Sequence, residues 1–321
     1  MQSFQELLTR FEAFLGETGY PDLPANLYDP CRYMMQLGGK RIRPVLCLMG
    51  NELFGDVHPD AYHAATAVEL FHNFTLLHDD IMDNAPLRRG KETVYKKYGM
   101  SAGILSGDVM NIYAYDHLAK VSPALLPELL KLFNRTAIEV CEGQQLDMDF
   151  ETRNNVTIDE YLHMITLKTS VLLAASLEMG ALIGGASAGN AKLLYEFGKN
   201  MGIAFQLQDD YLDAFGDPEK VGKQPGGDIR ANKKTFLLLK AYELANPEQR
   251  HVLEQLMPTE SEKKVDLVMV MYRALGVDKH AEQIKNHYAQ LAFDSLEKTA
   301  VLQKRKDALH QLASQLLQRD H

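Results

Sequence analysis

The chain has 321 residues, 46% of them hydrophobic, and carries 34 Lys and Arg against 43 Asp and Glu, a formal net charge of −9. That length supplies a large core, and no Pro/Gly/Ser-rich linker or shift in composition divides it, so residues 1–321 read as a single domain. An acidic balance without a basic tail excludes a nucleic-acid surface, and three scattered cysteines (Cys31, Cys47, Cys141) exclude a disulfide framework or a zinc site.

Apolar spacing marks a first helix over 3–16, whose mixed Glu and Arg lack the basic-then-apolar layout of a secretion signal. A reducing cytoplasm is the expected compartment. Helices follow over 28–37, 42–54 and 59–83, with Gly55 as a stop and Asp60 as a capping start. Between the first two of these stands Gly38-Gly39-Lys40-Arg41-Ile42-Arg43-Pro44, three cations behind a flexible glycine pair. The 59–83 helix ends in Asp79-Asp80-Ile81-Met82-Asp83, and Arg88-Arg89-Gly90 comes next. On a helix, positions i and i+4 differ by about 40° around the axis, so Asp79 and Asp83 point the same way.

Further helices are expected over 102–120, 124–150 and 158–185, the last starting at the capping pair Thr157 and Glu160 and stopping at Gly184-Gly185. The stretch 169–188 approaches bilayer length, but Glu178, Ser170, Ser176 and Ser187 interrupt it, so it reads as the inner helix of a bundle and not as a span. Lys168-Thr169 sits at its mouth, where a lone lysine needs a partner. A helix over 189–215 ends near a second acidic cluster, Asp209-Asp210-Tyr211-Leu212-Asp213. After it come Gly222-Lys223, Lys233-Lys234-Thr235, a helix over 231–245 and several amphipathic helices from about 248 to 318. Taken singly, Arg41 and Lys234 read as solvated surface charges. The expected fold is all-α, one large helical bundle around a central apolar cavity, and parallel helices would set the two clusters across its mouth.

Residues 217–228 have EF-hand length, but Pro218, Val221 and a terminal Asp228 fail the ligand pattern, and the chain has no Walker A sequence. Two oxygen-only clusters instead point to Mg²⁺ or Mn²⁺, and Mg²⁺ is commonly shared between carboxylates and substrate phosphates. The implied ligand is a polyphosphate or diphosphate. Asp79, Asp83 and Asp209 are the candidate metal ligands, with Asp80, Asp210 and Asp213 reaching the ions through water. Arg88, Lys168, Lys223 and Lys233 would neutralise the remaining charge, Arg as a fork and Lys as a point charge. Ionising a carbon–oxygen bond to diphosphate needs no protein nucleophile. Carbonyl dipoles around Lys168-Thr169 and the Gln206 side chain would steady the resulting cation without reacting with it.

The two clusters, the Gly38–Pro44 segment, Arg88-Arg89-Gly90, Gly143-Gln144-Gln145-Leu146-Asp147, Lys168-Thr169 and Phe205-Gln206-Leu207-Gln208-Asp209-Asp210 together resemble the trans-isoprenyl diphosphate synthases of the polyprenyl synthetase family. The motifs run in the family's order from Gly38 to Thr235, and beyond that only helical character is similar. The resemblance implies condensation of isopentenyl diphosphate, cradled by Lys40, Arg43, His72 and Arg89, with an allylic diphosphate held at the clusters. Gln206, Lys223 and Lys233 with Arg88 and Lys168 would bind that allylic partner, and released diphosphate would take the final proton. It also implies a homodimer. In the family, an aromatic five residues before the first cluster without one at the fourth suggests a short product. Phe74, with Thr75 and Phe71, is thus the expected chain-length floor, giving C15 to C20 with C20 favoured. One departure is Asn232, where the family often has Gly, which leaves open whether Lys233 or Lys234 reaches phosphate. A terpene cyclase and a non-catalytic subunit are the alternatives; the Gly38–Pro44 cradle and the two intact clusters speak against them.

Overall fold

The computed structural model describes residues 1–217 and 226–317. Among them the chain is all-α apart from one small ribbon. The helices are α1 (Phe4–Gly16), α2 (Ala25–Gln36), α3 (Ile42–Glu52), α4 (Pro59–Met82), α5 (Val94–Tyr98), α6 (Met100–Leu118), α7 (Leu126–Thr152), α8 (Ile158–Ile165), α9 (Val171–Ile183) and α10 (Ala188–Phe215). They continue as α11 (Gly227–Arg230), α12 (Phe236–Leu244), α13 (Pro247–Leu256), α14 (Lys264–Leu275), α15 (Val277–Lys298) and α16 (Gln303–Leu317).

Two compact units are present: Met1–Phe133 with Ala175–Lys192 and Val301–Ala308, and Asn134–Ala174 with Leu193–Ala300 and the chain from Leu309. In the first, α4 is buried along most of its length, from Ala61 to Phe71 and again at Leu77 and Asp80, and it packs against α3 and α6. Two glycines bring α3 and α9 into backbone contact: a Cβ on Gly180 would lie 1.8 Å from the Cys47 carbonyl oxygen, and one on Gly50 would lie 2.5 Å from that of Leu177. In the second unit, Phe150, Tyr161, Met164, Leu207, Phe236, Leu253 and Tyr272 share one apolar core.

The expected helix over 158–185 is broken. Thr166–Ser170 forms a π-turn between α8 and α9, pinned where a Cβ on Gly143 of α7 would sit 2.3 Å from the Lys168 amide and one on Gly202 of α10 would sit 2.7 Å from Ser170 Cα. Such π-turns inside helices often mark functional sites. The expected capping box at Thr157 and Glu160 is present. Asp60, by contrast, is not a cap: His58 is, accepting from the Asp60 N–H, while the Asp60 carboxylate accepts from the Ser122 amide. Leu87–Arg88 and Lys91–Glu92 form an antiparallel ribbon, β1 and β2, which two-residue strands are too short to announce in sequence. Residues Ile158–Ile183 are long and apolar enough to cross a bilayer by length and composition, yet 72% of their most apolar window is buried within the protein.

Candidate active site

The first group of predicted residues gathers around α4. Three left-handed residues, Gly38 (φ 76°), Gly39 (φ 152°) and Arg41 (φ 48°), coil the segment between α2 and α3 into a tight loop. Lys40 projects exposed from that loop, and Arg43 begins α3 with its Nη1 at 3.1 Å from His72 Nε2 on α4. Burial holds the Arg43 guanidinium down to about 10, opposed by Glu69, and burial with Arg43 beside it pushes His72 well below its ordinary value. His72 is therefore neutral, and its Nε2 lone pair accepts the Arg43 proton. Arg89, at the ribbon tip with φ 53°, lays its guanidinium against Gly39, where a Cβ would meet Nη2 at 3.0 Å. Arg43, His72 and Arg89 thus stand around one loop, a cationic cradle suited to an anion.

Arg41 differs from its expected solvated state. It is 8% exposed, pairs with buried Glu69 and donates to the Met35 carbonyl at 2.8 Å, while Glu69 also takes the Asn73 amide at 2.9 Å. A lone glutamate within the otherwise apolar run of α4 was the sequence signal for this pair. Of the first acidic cluster, Asp79 is half-buried and Asp83 exposed at the helix end, while Asp80 is 1% exposed and takes Arg88 Nε at 2.9 Å on both oxygens and Nη2 at 2.7 Å. Burial raises Asp80, with Arg88 opposing. Above the cluster along the chain, Phe74 is half-buried, its ring 4.7 Å from that of His78 and 5.6 Å from that of Phe71, which packs on Phe133 at 5.3 Å. Thr75 donates its hydroxyl to the His72 carbonyl at 2.8 Å.

The second group lines a cleft of about 160 Å³. Lys168, Thr169, Gln206, Asp210, Lys233 and Lys234 all line it, so Lys234, expected to be solvated, stands beside Lys233. Asp147, Tyr161 and Asp228 join them without having been singled out as site residues. Asp147 is the partner Lys168 needed, forming a direct ion pair. Asp210 is 5% exposed; its Oδ2 accepts the Tyr161 hydroxyl and its Oδ1 the Gln206 amide at 3.2 Å. Burial, reinforced by Asp228 and Asp209, pushes Asp210 up to about 7 against those two donors. Asp209 is exposed, and Asp213 accepts the Asp228 amide at 2.9 Å, fastening α11 to the end of α10. Lys223 lies outside the described residues.

Asn232 explains its departure from the family's glycine. It sits at φ 57°, a left-handed turn that Asn tolerates, and its Oδ1 takes buried Lys264 Nζ at 2.5 Å. Asn232→Gly and Asn232→Val both remove that acceptor, so their difference isolates the backbone. Thermal denaturation should find the Val variant less stable than the Gly variant by about 1–2 kcal/mol.

Among the described residues no three ligating side chains close a metal shell by themselves. In the first unit Asp79 is half-buried and Asp83 exposed, and in the second Asp209 is exposed; each carboxylate is an oxygen donor of the kind a hard cation takes when phosphate and water complete its shell. Comparison with known proteins identifies the family. The family model described as polyprenyl synthetase matches residues 24–275. A geranylgeranyl diphosphate synthase of Sulfolobus acidocaldarius is 37% identical over 303 residues, 92% of this chain and 91% of its own length. A geranylfarnesyl diphosphate synthase of Natronomonas pharaonis is 39% identical over 68% of this chain and 69% of its own. A crystal structure of a geranylgeranyl pyrophosphate synthase is 47% identical and superimposes with a TM-score of 0.95 over 99% of both chains. With its helices, its motifs and nearly its whole length matched, the chain belongs to the polyprenyl synthetase family.

Proposed function

We propose that this enzyme joins isopentenyl diphosphate to an allylic diphosphate (dimethylallyl, geranyl or farnesyl), releasing diphosphate and an all-trans prenyl diphosphate, with geranylgeranyl diphosphate (C20) as the end product. The observation that carries the reading is the cleft in which Lys168, Thr169, Gln206, Lys233 and Lys234 converge. It offers cations to a leaving diphosphate and no activated nucleophile, as an ionisation reaction requires. Mg²⁺, for which Mn²⁺ can substitute, would be held by Asp79, Asp83 and Asp209 and would neutralise the leaving group. Asp80, Asp210 and Asp213 keep second lone pairs on their oxygens for water-bridged contacts beside their protein donors.

Lys168, paired with Asp147, holds one ammonium toward the departing oxygen. Lys233 and Lys234 extend the positive wall, and Arg88 does the same beside the first cluster. A single well-placed donor of this kind is worth ~3–4 kcal/mol in the transition state. Lys40, Arg43, neutral His72 and Arg89 bind isopentenyl diphosphate, and Gln206 with the Lys168-Thr169 backbone faces the cation. The π-turn at Thr166–Ser170 breaks the regular ladder beside those carbonyls. We read the chain as one catalytic domain of a cytoplasmic homodimer, a reading supported by the exposed apolar residues Met100, Ile104, Leu105 and Ile112 on α6.

Consumption of isopentenyl diphosphate should require both substrates and a divalent ion. Chelation with EDTA should abolish it and Mg²⁺ or Mn²⁺ restore it, whereas full turnover in excess chelator would contradict the proposed ligands.

A further inference from the structure

Each acidic cluster turns its second member inward: Asp80 is 1% exposed and Asp210 5% exposed, while Asp83 and Asp209 face solvent. Asp80 is held by Arg88, whose role toward a diphosphate is already assigned. Asp210 is held by Tyr161, which has no assigned role. Tyr161 is 2% exposed on α8, its ring packed in the apolar core and its hydroxyl donating to Asp210 Oδ2. The other oxygen, Oδ1, takes Gln206 Nε2 at 3.2 Å.

This arrangement decides which way the Gln206 amide points. The NH₂ end of Gln206 faces Asp210 and donates to Oδ1 while Tyr161 donates to Oδ2, the arrangement that the ionised, accept-only carboxylate takes. The amide oxygen, the negative end of its dipole, is left to the cleft that Gln206 lines. That is the end able to stabilise a carbocation. The orientation holds only while Asp210 keeps one oxygen aimed at Gln206, and the Tyr161 hydroxyl, by occupying the other, stops the carboxylate from rotating.

We propose that Tyr161 is a positioning residue which, through Asp210, fixes the Gln206 amide with its oxygen toward the reacting carbon. The inference rests on the prenyl-condensation reading above. If Tyr161 served the core alone, losing its hydroxyl would change stability and leave the chemistry of Gln206 untouched.

The test is a double-mutant cycle of Tyr161→Phe, Gln206→Leu and the two together, with kcat, the KM for isopentenyl diphosphate and the melting temperature measured for each. Tyr161→Phe is expected to lower kcat about tenfold, the scale of one hydrogen bond to a charged group, with that KM unchanged. In the Gln206→Leu background the same change is expected to cost less than about twofold, because the amide it orients is gone. Equal losses in both backgrounds, or no loss in either, would overturn the proposal. Incorporation of 3-fluorotyrosine at position 161, a stronger donor of nearly the same shape, provides a second readout should the Phe variant not fold. It is expected to hold kcat at or above the wild-type value, and a fall would overturn the proposal. A wild-type enzyme that forms no product from the two substrates would instead overturn the condensation reading itself, a result distinct from uncoupled variants of an active enzyme.

Discussion

Lys168→Ala is expected to lower kcat by about 10²–10³ while leaving the KM for isopentenyl diphosphate nearly unchanged, the scale seen when one preorganised donor to a developing charge is removed. The ammonium lies in the cleft with Thr169, Gln206 and Lys233, and Asp147 pairs with it from α7. In the proposed reaction its contact with the leaving oxygen would strengthen only as the carbon–oxygen bond breaks, so the loss should appear in kcat. Arg89→Ala provides the contrast. Arg89 belongs to the cradle with Arg43, His72 and Gly39, so its loss should chiefly raise the KM for isopentenyl diphosphate. Steady-state kinetics with each substrate varied in turn would show the split, and equal effects of both changes on both substrates would argue against separate pockets.

Phe74→Ala is expected to lengthen the product by at least one C5 unit. Phe74 lies five residues before Asp79, about 7–8 Å along α4 at 1.5 Å per residue, and its ring is wedged between His78 and Phe71. In the proposed reaction an elongating chain that followed α4 away from the proposed metal ligands would meet this ring before buried Phe71. Truncation should also cost stability, and because Phe74 is only half-buried the loss should fall at or below the low end of the ~3–5 kcal/mol seen for buried phenylalanines. Mass spectrometry of extracted products decides the matter. A folded, active Phe74→Ala enzyme with unchanged chain length would remove Phe74 as the floor, and a wild-type product of C30 or longer would overturn the short-chain assignment.

Helical periodicity and the i, i+4 spacing of the aspartates made the all-α fold and both clusters legible before any coordinates. The expected helix over 59–83 and the observed Pro59–Met82 differ by a single residue at the C-terminal end, because the cluster itself closes the helix. What the sequence concealed depends on contacts between distant segments. The π-turn at Thr166–Ser170 exists because Gly143 and Gly202, on two other helices, admit close backbone approach, and no local pattern encodes that. Lys168 announced its need of a partner, but only packing selects Asp147. Arg41, taken singly, reads as a solvated cation, and its pairing with Glu69 emerges when α3 and α4 are laid together. Tyr161 gave no signal, since a tyrosine on the apolar face of a helix is ordinary core until its hydroxyl is seen against Asp210.

The central claim is that this chain elongates an allylic diphosphate with isopentenyl diphosphate and stops at a short product. The most direct measurement is mass spectrometry of the reaction of purified enzyme with isopentenyl diphosphate, Mg²⁺ and, separately, dimethylallyl, geranyl and farnesyl diphosphate. A linear C20 prenyl diphosphate from each allylic substrate, with one diphosphate released per condensation, is the predicted result. A cyclic hydrocarbon formed without consumption of isopentenyl diphosphate, or no turnover of any of the three by folded enzyme, would contradict the account.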